Sequence, residues 1–358
     1  MQANQFNFAS KSQAFASATV LISQQKLYWK RFFKSKSVIV ALFSLLTLLL
    51  LLVLNHFLSP YQSDKAIYDS SLAYNLPLLN NPVISRTFEN GPDTDYLMNL
   101  NKQGIIDFES ITNYKSFYII KYNPYQVLSF LSPKDELKTY FGTNSIGIDN
   151  FTLMTDSILI TLLITFISGL IQLFFGSLIG SLVGFYSNKA LYKSSYFILS
   201  AVIVVPYLFL TISLFLLFGY SLAKAICFLS IVGFFSIFYT SYHKCQEIKI
   251  LSYIDGYKTI GYSDSKIILR VIFKQIVFYN LSFFSDQLSL SFLSLAALSF
   301  FNVENINSHI NIGNLYKQII EDFSNYYLSI STIVISIALI VIFKIIGASL
   351  NMALYPKI

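Results

Sequence analysis

Charge is what this sequence has least of. Lys, Arg, Asp and Glu together make up 12% of its 358 residues, against about a quarter in an ordinary soluble domain. With 54% hydrophobic residues and a mean hydropathy of +0.58, the chain cannot cover a water-facing surface. It is therefore expected in a membrane. Cysteine is nearly absent. Cys227 and Cys245 have no CxxC spacing, which excludes a disulfide framework and a thiolate zinc site. His56, His243 and His309 are too scattered to form a metal-ligand set. No HExxH, Ser/His pair or intramembrane Asp pair suggests an enzyme. No GxxxxGK[ST] suggests a nucleotide site, and no inverted repeat or broken, charged helix suggests a secondary transporter.

What is present is a series of apolar runs. A span needs about 20 mostly apolar residues to cross ~30 Å of hydrocarbon. Six segments qualify: 38–58, 157–185, 196–218, 223–242, 277–301 and 328–348. The first is too long, and too far from the start, for a cleaved signal peptide, and is expected to be an uncleaved anchor. Residues 116–131, SFYIIKYNPYQVLSFL, are apolar enough to suggest a seventh span, but Lys121, Asn123, Pro124 and Gln126 argue against it.

Lys and Arg accumulate on the cytoplasmic side of short loops. Residues 1–37 carry six (Lys11, Lys26, Lys30, Arg31, Lys34, Lys36) and no acid. The 186–195 turn carries Lys189 and Lys193, and the 243–276 segment carries six more. The 302–327 loop has one Lys and three acids. These counts predict a multi-pass plasma-membrane protein with both termini in the cytoplasm. Residues 59–156 then form an extracytoplasmic domain holding six of the eight prolines, expected to be small, irregular and partly stranded. Residues 20–37 place Leu21, Tyr28, Trp29 and Phe32 near one helical face among basic residues, an interfacial amphipathic pattern.

The stretch 255–276, DGYKTIGYSDSKIILRVIFKQI, is polar and basic between apolar runs. Tyr253 to Ile260 are expected to form a short helix, with Gly261 at its C′ position, where positive φ is needed. Ser263 or Asp264 is expected to cap a second helix beginning near Ser265. Ile267, Ile268, Val271 and Ile272 give it an apolar face, and Lys266, Arg270 and Lys274 repeat every four residues beside it. On physical grounds two readings stand, a surface that docks another protein and a plain amphipathic connector.

Three further features each carry two readings. Gly176, Gly180 and Gly184 lie at i, i+4, i+8, a spacing that allows close helix contact in lipid or a gating hinge. Pro206, inside the third run, is a structural kink or a path-lining break. Asp286 is the only acid well inside a span, and intramembrane acids are functional candidates. Shallow burial with a water or Ser partner is the alternative.

Asp255-Gly256-Tyr257 followed by Gly261 resembles the E-A-A-x-x-x-G cytoplasmic loop motif of binding-protein-dependent ABC importers. YWKRFFKSK (28–36), FGTNSIGIDNF (141–151), ALSFFNV (297–303) and IGNL (312–315) resemble, in order, segments of the C-type permease subunit of oligopeptide and dipeptide importers. The resemblance covers about residues 26–355. Asp255 stands for the usual Glu, Gly256 and Tyr257 for two alanines, Asn144 for an Asp, Ile148 for an Arg, and Lys274 for a common Pro.

The resemblance implies an all-α polytopic membrane protein of the type I ABC importer permease fold, with six transmembrane helices and an extracytoplasmic insertion between the first two. It implies a cytoplasmic segment 1–37, a core permease domain 157–350 and a coupling loop 243–276. The chain would be non-catalytic and bind no metal or cofactor itself. Two partner ATPases would bind ATP and Mg, receiving Asp255, Gly256, Tyr257, Lys258, Gly261, Ser263 and Asp264. A homologous permease and an extracellular substrate-binding protein would complete the complex, with Asp286 and Pro206 as candidates for the peptide path. Nucleic acid is not expected as a partner. A related importer for nickel or other metal chelates, or for other small solutes, is the alternative, ahead of a secondary transporter.

Overall fold

The computed structural model describes residues 24–132, 138–323 and 325–354. Lys11, Leu21 and Pro133 lie outside them. Helix α1 (Gln24–Lys34) leads through Ser35 into α2 (Lys36–Leu58). After α2 comes a small α+β unit: β1 (Ile84–Glu89), α3 (Pro92–Lys102), β2 (Phe108–Asn113), β3 (Phe117–Tyr122) and α4 (Pro124–Leu131). The three strands form one antiparallel sheet in the order β1-β3-β2. Its buried face, with Ile120 and Tyr122, packs on Leu72, Leu97, Leu100, Ile106 and Val127. The 116–131 run is thus a strand and a short helix. Asn123 caps that helix through its side chain, and Pro124 occupies its first turn. The fold is mostly helical, with this sheet as its one departure from all-α among the described residues.

The rest is a helical bundle: α5 (Asn150–Phe185), α6 (Ala190–Ala201), α7 (Tyr207–Phe218), α8 (Leu222–Lys249), α9 (Ser252–Thr259), α10 (Asp264–Phe300), α11 (Ile312–Glu321) and α12 (Tyr326–Leu354). Five of the described helices (α2, α5, α8, α10 and α12) are long and apolar enough to cross a membrane. A sixth span results if α6 and α7 are taken together.

Two expectations need correction, and a third gains detail. Helix α5 starts at Asn150 rather than 157, because Asp149 caps it, its Oδ2 accepting from the Thr152 amide at 2.8 Å. At 1.5 Å per residue, its 36 residues extend about 54 Å, well beyond a hydrocarbon core. The third run bends at Pro206, where a kink or break is expected. Its first half ends in a 3₁₀ turn at Val202–Val204, Val205 is extended, Pro206 opens α7, and the two halves meet at 89°. The fifth span does not begin at 277, and the helix expected near Ser265 is not separate from it. One helix runs from Asp264 to Phe300, through a π-helical turn at Ile267–Ile272.

The bundle is organised around α5, which lies along α8 and also packs on α10 and α2. α12 rests on α10 and α2.

Candidate coupling surface and membrane face

The α5–α8 seam is built by absent side chains. A Cβ on Gly176 would lie 2.7 Å from the Ile237 Cβ, one on Gly180 2.5 Å from the Ser241 Cβ, and one on Gly184 2.8 Å from the Cys245 Cβ. Glycine at every fourth residue therefore lets the two backbones meet, which is the packing reading of that spacing. Gly233 answers from α8, leaving room for the Gln172 side chain, whose Nε2 donates to the Leu229 carbonyl at 2.9 Å. One turn below, the fully buried Asn280 of α10 joins the seam. Its Nδ2 donates to Ser177 Oγ (2.9 Å) and Ser241 Oγ (2.7 Å), and its Oδ1 accepts from Thr240 (3.2 Å). Nothing in the local sequence marks Asn280. Its partners lie on two other helices.

At the end of α8 the chain turns into α9. Ile254 is its one buried side chain, seated among Phe185, Cys245, Ile248, Ile267, Ile268, Ile272 and Ile276. Asp255, Lys258 and Thr259 are exposed, and Gly256 and Tyr257 half-buried. Asp255 in the first turn and Lys258 in the last both suit the helix dipole. Their 3.4 Å ion pair is exposed and contributes little.

The helix ends as the sequence predicts. Gly261 has φ +89°, its amide donates to the Lys258 carbonyl, and the Tyr262 amide donates to the Tyr257 carbonyl. This pair of bonds is the Schellman arrangement, with the Tyr257 and Tyr262 rings 5.3 Å apart across it. A Cβ at Gly261 would meet nothing within 4 Å, so the demand for glycine is conformational rather than steric. Ser263 precedes α10 with an extended backbone and no side-chain cap bond, and Asp264 is exposed in its first turn. Ile250, Leu251 and Ile260 around α9 are exposed apolar side chains with no cover from this chain. The seven residues singled out in 255–264 thus lie together on one knob, raised on an isoleucine-rich base.

Pro206 is exposed at the break between α6 and α7. Next to it the Tyr207 hydroxyl meets Ser291 Oγ of α10 at 2.9 Å. Asp286 lies on α10 and accepts from Lys344 Nζ of α12 at 2.7 Å. Among the described residues no hydrogen bond joins Asp286 to Tyr207, whose partner Ser291 lies five residues further along the same helix. Lys344, toward the end of the sixth apolar run, is thus the partner of Asp286, and both side chains are about half exposed.

A second helical acid escaped sequence reasoning because α5 begins early. Asp156 is buried, and its oxygens meet His56 Nδ1 (2.9 Å) and Ser63 Oγ (2.5 Å). Together with Asn55→Thr155 and the Ser59–Thr152 pair, this polar set fastens the end of α2 to α5.

The 141–151 segment folds into a tight loop that starts α5. Gly142 (φ +68°) passes so close to the Leu76 carbonyl that a Cβ would lie 2.1 Å from its oxygen. Asn144 Oδ1 accepts from the Ile146 and Ile148 amides, and its Nδ2 donates to Gln318 of α11 at 3.2 Å. Asn325 and Asn150 both donate to the Phe141 carbonyl. These amides border a cleft of about 500 Å³ between the α+β unit and the start of α12. IGNL opens α11, where Asn311 caps through the Asn314 amide and Gly313 lies against the Leu295 carbonyl.

A search of curated proteins finds no match. Two family profiles do match. Residues 23–79 match the N-terminal TM domain of oligopeptide transport permease C. Residues 176–354, half of the chain, match the binding-protein-dependent transport system inner membrane component. That second match spans the glycine seam, the α9 knob and the Asp286–Lys344 pair, so the chain belongs to the family of binding-protein-dependent transport system inner membrane components, the permeases of ABC importers, and carries an N-terminal domain of the oligopeptide type.

Proposed function

We propose that this chain is the C-type permease subunit of an ATP-driven importer of oligopeptides or dipeptides. It pairs with a homologous permease and stands on two cytoplasmic ATPases, and an extracellular binding protein delivers the cargo. The oligopeptide-type match at residues 23–79 supports the cargo class. The Lys and Arg distribution supports cytoplasmic termini, with α9 on the same side and residues 59–156 outside.

The observation that carries the reading is the α9 knob. It is a short helix with exposed polar faces, ended by a positive-φ glycine and held by one buried isoleucine on the base shared by α5, α8 and α10. Such a plug can be gripped by an ATPase and can pass its displacement to three spans. In this mechanism the chain makes and breaks no covalent bond. ATP and Mg belong to the ATPases, and this chain turns their closure into alternating access.

Gly261→Val tests the coupling role. A β-branched residue at positive φ costs about 1–2 kcal/mol and misdirects the entry to α10, while no neighbour is displaced. The variant is expected to insert normally and to lose peptide uptake in vesicles with the reconstituted complex, with ATP hydrolysis uncoupled or the ATPase lost on purification. Normal uptake with the ATPase retained would overturn the assignment. Normal coupling with a metal chelate rather than peptide as co-purified cargo would move the chain to the alternative importer class.

A further inference from the structure

Helix α1 has three faces, and the packing of the chain accounts for only one of them. Successive residues are rotated by about 100°. Tyr28 and Phe32 fall together and are buried, with Tyr28 against Phe278 (ring centroids 4.4 Å apart) and in one cluster with Val38, Ala41, Ile342, Ile346 and Leu350. Trp29 and Phe33 fall together on the next sector. Their rings stack at 6.0 Å, Trp29 also meets Phe278 edge-on at 6.2 Å, and the two are 39% and 52% exposed, so they form an apolar platform at the rim of the buried face, open on its outer side. Beyond them Lys26, Lys30, Lys34 and Arg31 occupy an arc of about 140°, all exposed, and Lys36 follows at the start of α2. The helix contains no acid, and among the described residues no carboxylate forms an ion pair with any of these five cations.

The order of the sectors is informative. The aromatic platform lies between the buried face and the basic arc, with Lys26 and Lys30 bordering Trp29 and Phe33. The helix joins directly to an apolar span, so it lies at the membrane boundary. An apolar ring beside a lysine at that depth matches a phospholipid, with acyl chain on the ring and phosphate on the ammonium. Basic residues at a membrane surface favour anionic over zwitterionic headgroups, and the effect grows with each charge.

We propose that α1 is a binding site for anionic phospholipid. Lys26, Lys30 and Lys34 hold the headgroup, Trp29 and Phe33 receive the upper acyl chain, and Tyr28 and Phe32 fix the helix to α10 and α12. The site does not depend on what the chain transports. Its consequence is that the α1 clamp on α10 and α12 is set by the lipid composition of the leaflet that α1 borders.

Trp29 is the single tryptophan of the sequence, so tryptophan fluorescence reports on this helix alone. The full-length chain is reconstituted in vesicles of phosphatidylcholine mixed with phosphatidylglycerol, with bromine placed on the chains of one lipid or the other. Brominated phosphatidylglycerol is expected to quench Trp29 with a relative binding constant on the order of tenfold above that of brominated phosphatidylcholine. The preference is expected to collapse in about 1 M salt, where screening acts over roughly 3 Å. The Lys26→Gln/Lys30→Gln/Lys34→Gln variant is expected to lose the preference while phosphatidylcholine still quenches it, showing Trp29 still in the membrane boundary. Equal quenching by both lipids in the native chain overturns the proposal, as does a preference that survives in the variant. If the variant fails to insert, the salt titration of the native chain decides alone: a preference that about 1 M salt leaves unchanged is not electrostatic, and rules the basic arc out.

Discussion

Asp286 and Lys344 stand 58 residues apart in sequence, on two different transmembrane helices, and their side chains meet at 2.7 Å. An unpaired charge on a membrane-spanning helix is costly, and the pair offsets that cost for both groups. Asp286→Asn and Lys344→Met are each expected to destabilise the chain by up to about 1 kcal/mol, since each leaves a half-exposed charge without its partner. The double variant Asp286→Asn/Lys344→Met should recover most of that loss. Unfolding titrations of the four species in mixed micelles give the coupling energy directly. Additive single losses would mean the two groups act separately. If the pair lines the peptide path, Asp286→Asn also lowers uptake while the complex still assembles.

The glycine seam and the α9 knob predict opposite signs for the same substitution. Gly180→Ala puts a Cβ 2.5 Å from the Ser241 Cβ and 2.7 Å from the Phe238 carbonyl oxygen, and must push α5 away from α8. A loss of about 1–3 kcal/mol is expected, typical of overpacking. Gly256→Ala in α9 meets nothing within 4 Å and relieves the entropic cost of a helical glycine, for a gain of up to about 1 kcal/mol. Thermal unfolding of the two variants in detergent reads both signs.

Asp149 is buried at the start of α5, and burial pushes its carboxyl above the usual aspartate range, opposed in part by the hydrogen bond from Thr152. Because the folded value is above the unfolded one, the folded chain binds the proton more readily. The cost of the charge is absent below the unfolded value of about 3.9 and complete once the pH exceeds the folded value. This contribution to stability therefore falls as pH rises through that window. Asp149→Asn keeps a good cap without the charge, and is expected to be at least as stable as the native chain near neutral pH and to show a flatter profile toward acid. A variant less stable near neutral pH would show that the carboxylate itself is needed.

What the sequence disclosed was whatever is written locally. The apolar runs marked the spans, the four-residue spacing of Gly176, Gly180 and Gly184 marked a close seam, and Gly261 after a polar helical stretch marked a C′ residue. What it hid depends on partners distant in sequence or on departures from regular geometry. Lys344 reads as a residue near a span end until Asp286 is placed beside it. Asn280 reads as one polar residue among many until Ser177 and Ser241 converge on it. Lys266, Arg270 and Lys274 fall on one face if the helix is regular, but the π turn at 267–272 lies between them and breaks that count. Capping by Asp149 lengthened α5 past the point where hydropathy begins, which also concealed Asp156.

The π turn gives the α9 knob two unlike attachments. On one side α9 follows α8, which the glycine seam locks to α5, backbone against backbone. On the other side it leads into α10 through a wider turn, whose i→i+5 bonds can revert to the ordinary pattern by shifting one residue, a rotation of about 100°. One attachment is stiff and the other compliant in torsion. If an ATPase grips α9 as proposed above, the torsional give is confined to residues 267–272, because beyond them Asn280 ties α10 to Ser177 and Ser241 of that same seam.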